Sequence, residues 1–148
     1  MRIERLVVLS SVLALAISVG AVTQAAGPAT LRVGDVDGAN ATFVFGANGK
    51  QRAIVLHTRR IGVAGSRIEV TVDHFEKPVF SHVFAPAECK FGDRGSACKV
   101  IIPAKDAAYR AILARFKRGH LARVTIQDAG VMKMDQTVSL SGLAKALR

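Results

Sequence analysis

The sequence predicts a mainly β protein: one domain of two packed sheets, sandwich-like, with one amphipathic α-helix and a short C-terminal helical turn. Three observations carry that prediction. Arg67 to His74 alternates with a period of two, Ile68, Val70 and Val72 facing one way and Arg67, Glu69, Thr71 and Asp73 the other. Turn residues such as Asp37-Gly38-Ala39-Asn40 and Asp128-Ala129-Gly130 separate short apolar segments along the chain. Only Asp106 to Arg118 repeats its apolar residues at helical spacing, with Tyr109, Ile112, Leu113 and Phe116 on one stripe.

The chain opens on a segment of a different kind. Arg2 and Arg5 precede an apolar run from Leu6 to Val22, and Thr23-Gln24-Ala25 supplies small residues for a cleavage site. Residues 1–25 therefore read as a secretory signal peptide cut after Ala25. The alternative is an uncleaved anchor, although the run is at the short edge of the roughly 20 apolar residues a spanning helix needs. Cleavage leaves residues 26–148 as a single β-rich domain with no internal repeat or linker, and no stable membrane span. Losing Arg2, Arg5 and Glu4 from 21 basic and 11 acidic residues leaves 19 and 10, a net charge of +9.

In the mature chain, Thr30 to Val36 and Thr42 to Phe45 read as strands on either side of the first turn. Ala47-Asn48-Gly49-Lys50 predicts a tight hairpin, because Asn-Gly tolerates positive φ. Arg52 to Thr58 is nearly continuously apolar, the pattern of a strand covered on both faces. Val79 to Phe84 returns beside Arg67 to His74 after the Glu76-Lys77-Pro78 turn, and Ala97 to Ile102 is a further strand ended by Pro103. The helix follows, with Asp106 in its first turn, Arg115, Lys117 and Arg118 in its last, and Gly119 stopping it. Leu121 to Gln127 and Val131 to Leu140 form a hairpin, and Ser141 is placed to cap a terminal turn carrying Leu143, Ala146 and Leu147.

Cys89 and Cys98 are the only cysteines. Behind an export signal, one even pair predicts a structural disulfide in an oxidising compartment, here clipping a loop with Gly92 and Gly95 at its tip. The ten-residue span would stabilise by about 2.5–3 kcal/mol on the chain-entropy account.

Few residues group in a way that carries chemistry. His57, His74, His82 and His120 fall on different elements and form no helical metal pair. Asp73 with His74 or His82 is the arrangement a small hydrolase would use, although adjacent strand residues point to opposite faces. Asp35, Asp37 and Asn40 lack the further ligands of a calcium loop and read as a turn. Met132 and Met134 share one strand face on a regular period, a pattern open to soft copper or to core filling. No phosphate-binding glycine loop is present, and the sequence implies neither a metal nor another cofactor. Nucleic acid fits poorly, since the chain has no Trp and its single Tyr, Tyr109, lies on the apolar stripe of the helix.

The segment from Ile68-Glu69-Val70-Thr71-Val72-Asp73 through Lys77-Pro78-Val79-Phe80 leads to the close cysteine pair. An amphipathic helix ending Lys117-Arg118-Gly119 follows, then a hairpin into Val138-Ser139-Leu140-Ser141-Gly142-Leu143. In that order of features the chain from about Arg67 to Arg148 resembles the invasion-associated locus B family of exported bacterial proteins. The resemblance implies a periplasmic or envelope protein, mainly β, associated in some pathogens with host-cell invasion, and it carries no catalytic residues. The charge of the mature chain points to an anionic envelope component or host-surface macromolecule as partner. Arg115, Lys117, Arg118 and Arg123 are the expected binding residues of this non-enzymatic factor.

Overall fold

The computed structural model describes residues 21–23, 29–49, 51–73 and 77–147. The chain forms β1 (Ala21–Thr23), β2 (Ala29–Gly34), β3 (Asn40–Asn48), β4 (Gln51–Arg59), β5 (Arg67–Val72) and β6 (Phe80–Val83). A 3-10 turn (Pro86–Glu88) leads into β7 (Cys89–Gly92) and β8 (Gly95–Pro103), followed by α1 (Ala107–Arg118), β9 (Leu121–Asp128), β10 (Val131–Ser139) and α2 (Leu143–Ala146). The strands make two antiparallel sheets, one of six in the order β1-β2-β3-β4-β8-β7 and one of four in the order β10-β9-β5-β6. The predicted class, a mainly β sandwich-like domain with one amphipathic helix and a terminal helical turn, is the class observed.

Alternation along the strands builds the core. Leu31 and Val33 of β2, Phe43 and Phe45 of β3, and Ile54 and Leu56 of β4 are buried, as are Ile68 and Val70 of β5 and Val124 and Ile126 of β9. Helix α1 adds Ile112 and Phe116, and the Phe116 ring centroid lies 5.6 Å from that of Phe43 and 5.8 Å from that of Phe45. Asp106 caps the helix by accepting the Ala108 N–H at 3.0 Å. At the other end Gly119 has an ordinary extended backbone, so the glycine serves close packing and not a left-handed turn. A Cβ there would lie 2.8 Å from the Arg115 carbonyl oxygen, 3.0 Å from Leu140 Cδ1 and closer still to Val72 Cγ1.

Several elements differ from the sequence reading, each for a local reason. The cysteine segment is a β-hairpin and not an open loop: Cys89 and Cys98 face each other across β7 and β8, which turn at Asp93-Arg94. The disulfide is formed, with Cα atoms 4.0 Å apart, and Cys98 is buried. Strand β4 is covered on one face only, since Val55, His57 and Arg59 remain partly exposed; its apolar run marks a central strand. The first hairpin extends its pairing to Asn48–Gln51, so Asn48 belongs to the strand and Gly49, at φ 65°, begins the turn. Gly142, at φ 83°, occupies the N-cap of α2 in place of Ser141, whose own N–H is taken by Ser139 Oγ at 3.1 Å.

Ala21–Thr23 falls inside the segment read as a leader and pairs with β2, from Ala21 opposite Arg32 to Thr23 opposite Thr30. Residues 1–20, 24 and 25 of that leader lie outside the described residues. Among the described residues no helix is long and apolar enough to cross a membrane.

Candidate functional site

Asp73 and His82 are not brought together. Asp73 ends β5 at φ 58°, and its Oδ1 accepts the N–H groups of His120 (2.8 Å) and Leu121 (3.1 Å), tying β5 to the start of β9. His82 sits opposite Ile68, five residues back along β5, so roughly 16 Å of strand separates it from Asp73. His74 lies outside the described residues. The partner of His82 is Glu88: its Nε2 is 2.9 Å from Glu88 Oε1, and its ring stacks on Phe80. The same Glu88 oxygen accepts the Ala85 N–H at 2.7 Å. Burial works to raise the Glu88 pKa, but the Ala85 hydrogen bond and His82 outweigh it and hold the carboxyl below the usual glutamate value. The pair clasps β6 to the turn that follows.

The shared methionine face is overturned by a β-bulge. Pairing runs Met132–Gln127 and then Met134–Ile126, which leaves Lys133 as the extra residue. One inserted residue reverses the period, so Met134 is buried while Met132 is 44% exposed on the other face. Among the described residues no three histidine, cysteine or acidic side chains converge as metal ligands. The Asp35–Asn40 segment is a turn, closed by Asn40 Nδ2 donating to the carbonyls of Asp35 (2.9 Å) and Gly38 (3.2 Å).

The expected basic residues occupy two places. Arg115, Lys117 and Arg118 are exposed on the last turn of α1, where Arg118 Nε donates to the Ala114 carbonyl at 3.3 Å. Arg123 lies on the outer face of the four-stranded sheet, engaged by both oxygens of Asp135 at 2.8 and 2.7 Å. That bidentate contact raises the Arg123 pKa and lowers that of Asp135. Beside it is an open depression of about 300 Å³ lined by Glu69, Thr71, Thr125, Gln127 and Met132.

The six-stranded sheet carries a basic surface of which only Arg59, beside Arg60, stands out along the sequence as part of a positive face. Its strands contain Arg32, Arg52, Arg59, Lys90 and Lys99 and not one Asp or Glu. The four-stranded sheet balances Arg67, Arg123 and Lys133 against Glu69, Asp128 and Asp135. Register sets the cations in order. Arg32 pairs with Thr42, Thr42 with His57 and His57 with Lys99, so these residues form one row on the outer face. Arg59, two residues beyond His57, lies on the same side. Burial, then the charges of Lys99 and Arg32, hold the His57 pKa below its usual range. None of the five Arg and Lys residues has a carboxylate partner among the described residues. The parallel row is Thr30, Val44, Val55 and Ile101, the last 46% exposed.

A sequence signal for this surface exists, since no Asp or Glu occurs between Asp37 and Glu69. The alignment of Arg32 with His57 and Lys99 depends on strand register and is not readable along the chain. No family model matches the chain, and neither does any curated protein or solved structure.

Proposed function

We propose that this chain is an exported envelope protein, periplasmic or secreted, that works by binding an anionic partner and not by catalysis. One observation carries the reading: Arg32, Arg59, Lys90 and Lys99 share the outer face of the six-stranded sheet, whose strands contain no carboxylate, whereas the other sheet is charge-balanced. A cluster of one sign with no internal partner raises the local concentration of counter-charged ligands and steers their approach. The leader pattern and the disulfide support export to an oxidising compartment. The resemblance to the invasion-associated locus B family supports placement in the envelope, and contact with a host surface is the extension of that role. The binding residues of the proposal are Arg32, Arg59 and Lys99. The cations in the last turn of α1 complement the helix dipole, with Arg118 donating to the Ala114 carbonyl, and Arg123 is engaged by Asp135.

The test compares retention on anionic envelope material as salt is raised, for the protein and two variants that each lose three charges. Arg32→Gln/Arg59→Gln/Lys99→Gln should abolish most of the retention, and Arg115→Gln/Lys117→Gln/Arg118→Gln should leave most of it. Wild-type retention should fall steeply as the screening length shrinks from about 10 Å at 0.1 M to about 3 Å at 1 M. Salt-independent retention, or equal losses in both variants, contradicts the proposal.

A further inference from the structure

Two properties of the outer sheet face occur side by side and together narrow the partner. The row Arg32, Thr42, His57 and Lys99 is polar and cationic, and the next row, Thr30, Val44, Val55 and Ile101, is largely apolar. Neighbouring strands are about 4.8 Å apart, so each row crosses roughly 14 Å of a gently twisted surface. Ile101 lies on the side of the sheet away from the core and is 46% exposed, paired with Val55 of β4 in the stretch of β8 that runs past the end of β7. A soluble polyanion gains from the cations and nothing from the apolar row. Nucleic acid would in addition call for stacking platforms, and neither row contains a Phe, Tyr or Trp. A bilayer surface uses both, because its phosphates meet the cations while apolar side chains enter the boundary between headgroups and acyl chains.

Resting on the reading that the partner is anionic, we infer that the outer face of the six-stranded sheet docks on an anionic phospholipid surface, through Arg32, Arg59 and Lys99 with Val44, Val55 and Ile101 beside them. In the free protein partial burial, and after it the charges of Lys99 and Arg32, disfavour the charged form of His57; phosphate at the docked surface replaces the repulsion of the two cations with attraction. Docking therefore takes up a proton and strengthens as pH falls below the ordinary histidine range. The groups facing His57 across the sheet are Arg32 of β2 and Lys99 of β8, with Arg59 on its own strand; no carboxylate occurs on these strands to reverse the sign.

Phe91 supplies an internal control. It is 85% exposed near the tip of the β7–β8 hairpin, but it alternates with Lys90 and so leaves the hairpin from the opposite side. Flat docking of the outer face assigns it no contact.

The experiment is co-sedimentation of the oxidised protein, recovered from the cell envelope, with vesicles of phosphatidylcholine alone or with 30–40% phosphatidylglycerol (roughly a PS-rich surface potential). A soluble sulfated polysaccharide is the competing ligand. Binding to the anionic vesicles only is expected. It should weaken about 5-fold for each of Arg32→Gln and Lys99→Gln, and on the order of 100-fold for the triple variant with Arg59→Gln. Ile101→Ser should weaken it roughly 5-fold, the loss expected when about one buried apolar contact is removed. Phe91→Ser should leave it unchanged, and His57→Gln should flatten its dependence on pH between 5 and 7 (about the histidine range). Far-UV circular dichroism and an unchanged unfolding midpoint establish that each variant is folded. Equal binding to both vesicle types, or loss with Phe91→Ser and none with Ile101→Ser, overturns the inference. Binding of the polysaccharide without the vesicles overturns the lipid partner and keeps the anionic one; binding of neither ends both.

Discussion

Thr58→Val is the substitution that most closely examines how β4 and β8 are held beneath the cationic row. Thr58 follows His57, is 2% exposed, and its Oγ1 accepts the Cys98 N–H at 2.9 Å where the β4–β8 ladder ends at His57–Lys99. Gly62 closes over the same spot, since a Cβ placed on it would lie 3.1 Å from Thr58 Oγ1 and 3.4 Å from Cys98 Sγ. Valine has the same shape and the same preference for strands, so the acceptor is the one thing removed. A buried N–H left without a partner costs about 1–3 kcal/mol. The methyl that replaces the hydroxyl returns at most about 0.8 kcal/mol. A net loss of about 1–2 kcal/mol should shift the urea midpoint of the oxidised protein down by roughly 0.5–1 M at constant slope. Amide exchange at Cys98 should quicken at the same time. A midpoint moved by less than about 0.2 M, with Cys98 still protected, would refute the assignment of that hydrogen bond as a support of the sheet.

Replacing Cys89 and Cys98 together with Ser should cost about 2.5–3 kcal/mol in urea unfolding while the far-UV spectrum keeps its β form, because the hairpin is also held by its ladder to β4. Gly119→Ala should destabilise by about 1–3 kcal/mol, read the same way, through overpacking against Val72, Leu140 and the Arg115 carbonyl, since its backbone angles suit any residue. Glu88 is held below its usual pKa, so its clasp contributes stability above about pH 4.5 that is lost as pH falls through the lower folded value. Glu88→Gln should therefore lower the thermal midpoint at pH 6 and converge with the parent protein near pH 3.

Wherever one face of an element is buried, the sequence was a reliable guide. The alternation of Ile68, Val70 and Val72 against Glu69 and Thr71 placed β5, and the spacing of Ile112 and Phe116 placed α1, because apolar burial imposes those periods directly. What was not legible depends on pairing between distant strands. The bulge at Lys133 separates Met132 from Met134 without any break in the local pattern, and the offset is visible only against Gln127 and Ile126 of β9. The same holds for the candidate site. Arg32, His57 and Lys99 are separated by 25 and 42 residues of chain, and only the register of β2, β3, β4 and β8 brings them into one row. Charge counting drew the reading toward Arg115, Lys117 and Arg118 because they are adjacent in sequence. Helix-terminal cations have a local reason to be there, and the cations of the six-stranded sheet have none.

We propose that an anionic partner docks on the outer face of the six-stranded sheet, whatever the overall charge of the chain. The most direct measurement is a residue-by-residue map of amide resonance broadening when the oxidised protein is titrated with anionic lipid nanodiscs at about 0.15 M salt, where exposed charges beyond about 8 Å are screened. The account predicts a contiguous footprint on Arg32, Val55, His57, Arg59, Lys99 and Ile101. A footprint centred on Arg115, Lys117 and Arg118, or on the Arg123 face of the other sheet, would contradict it.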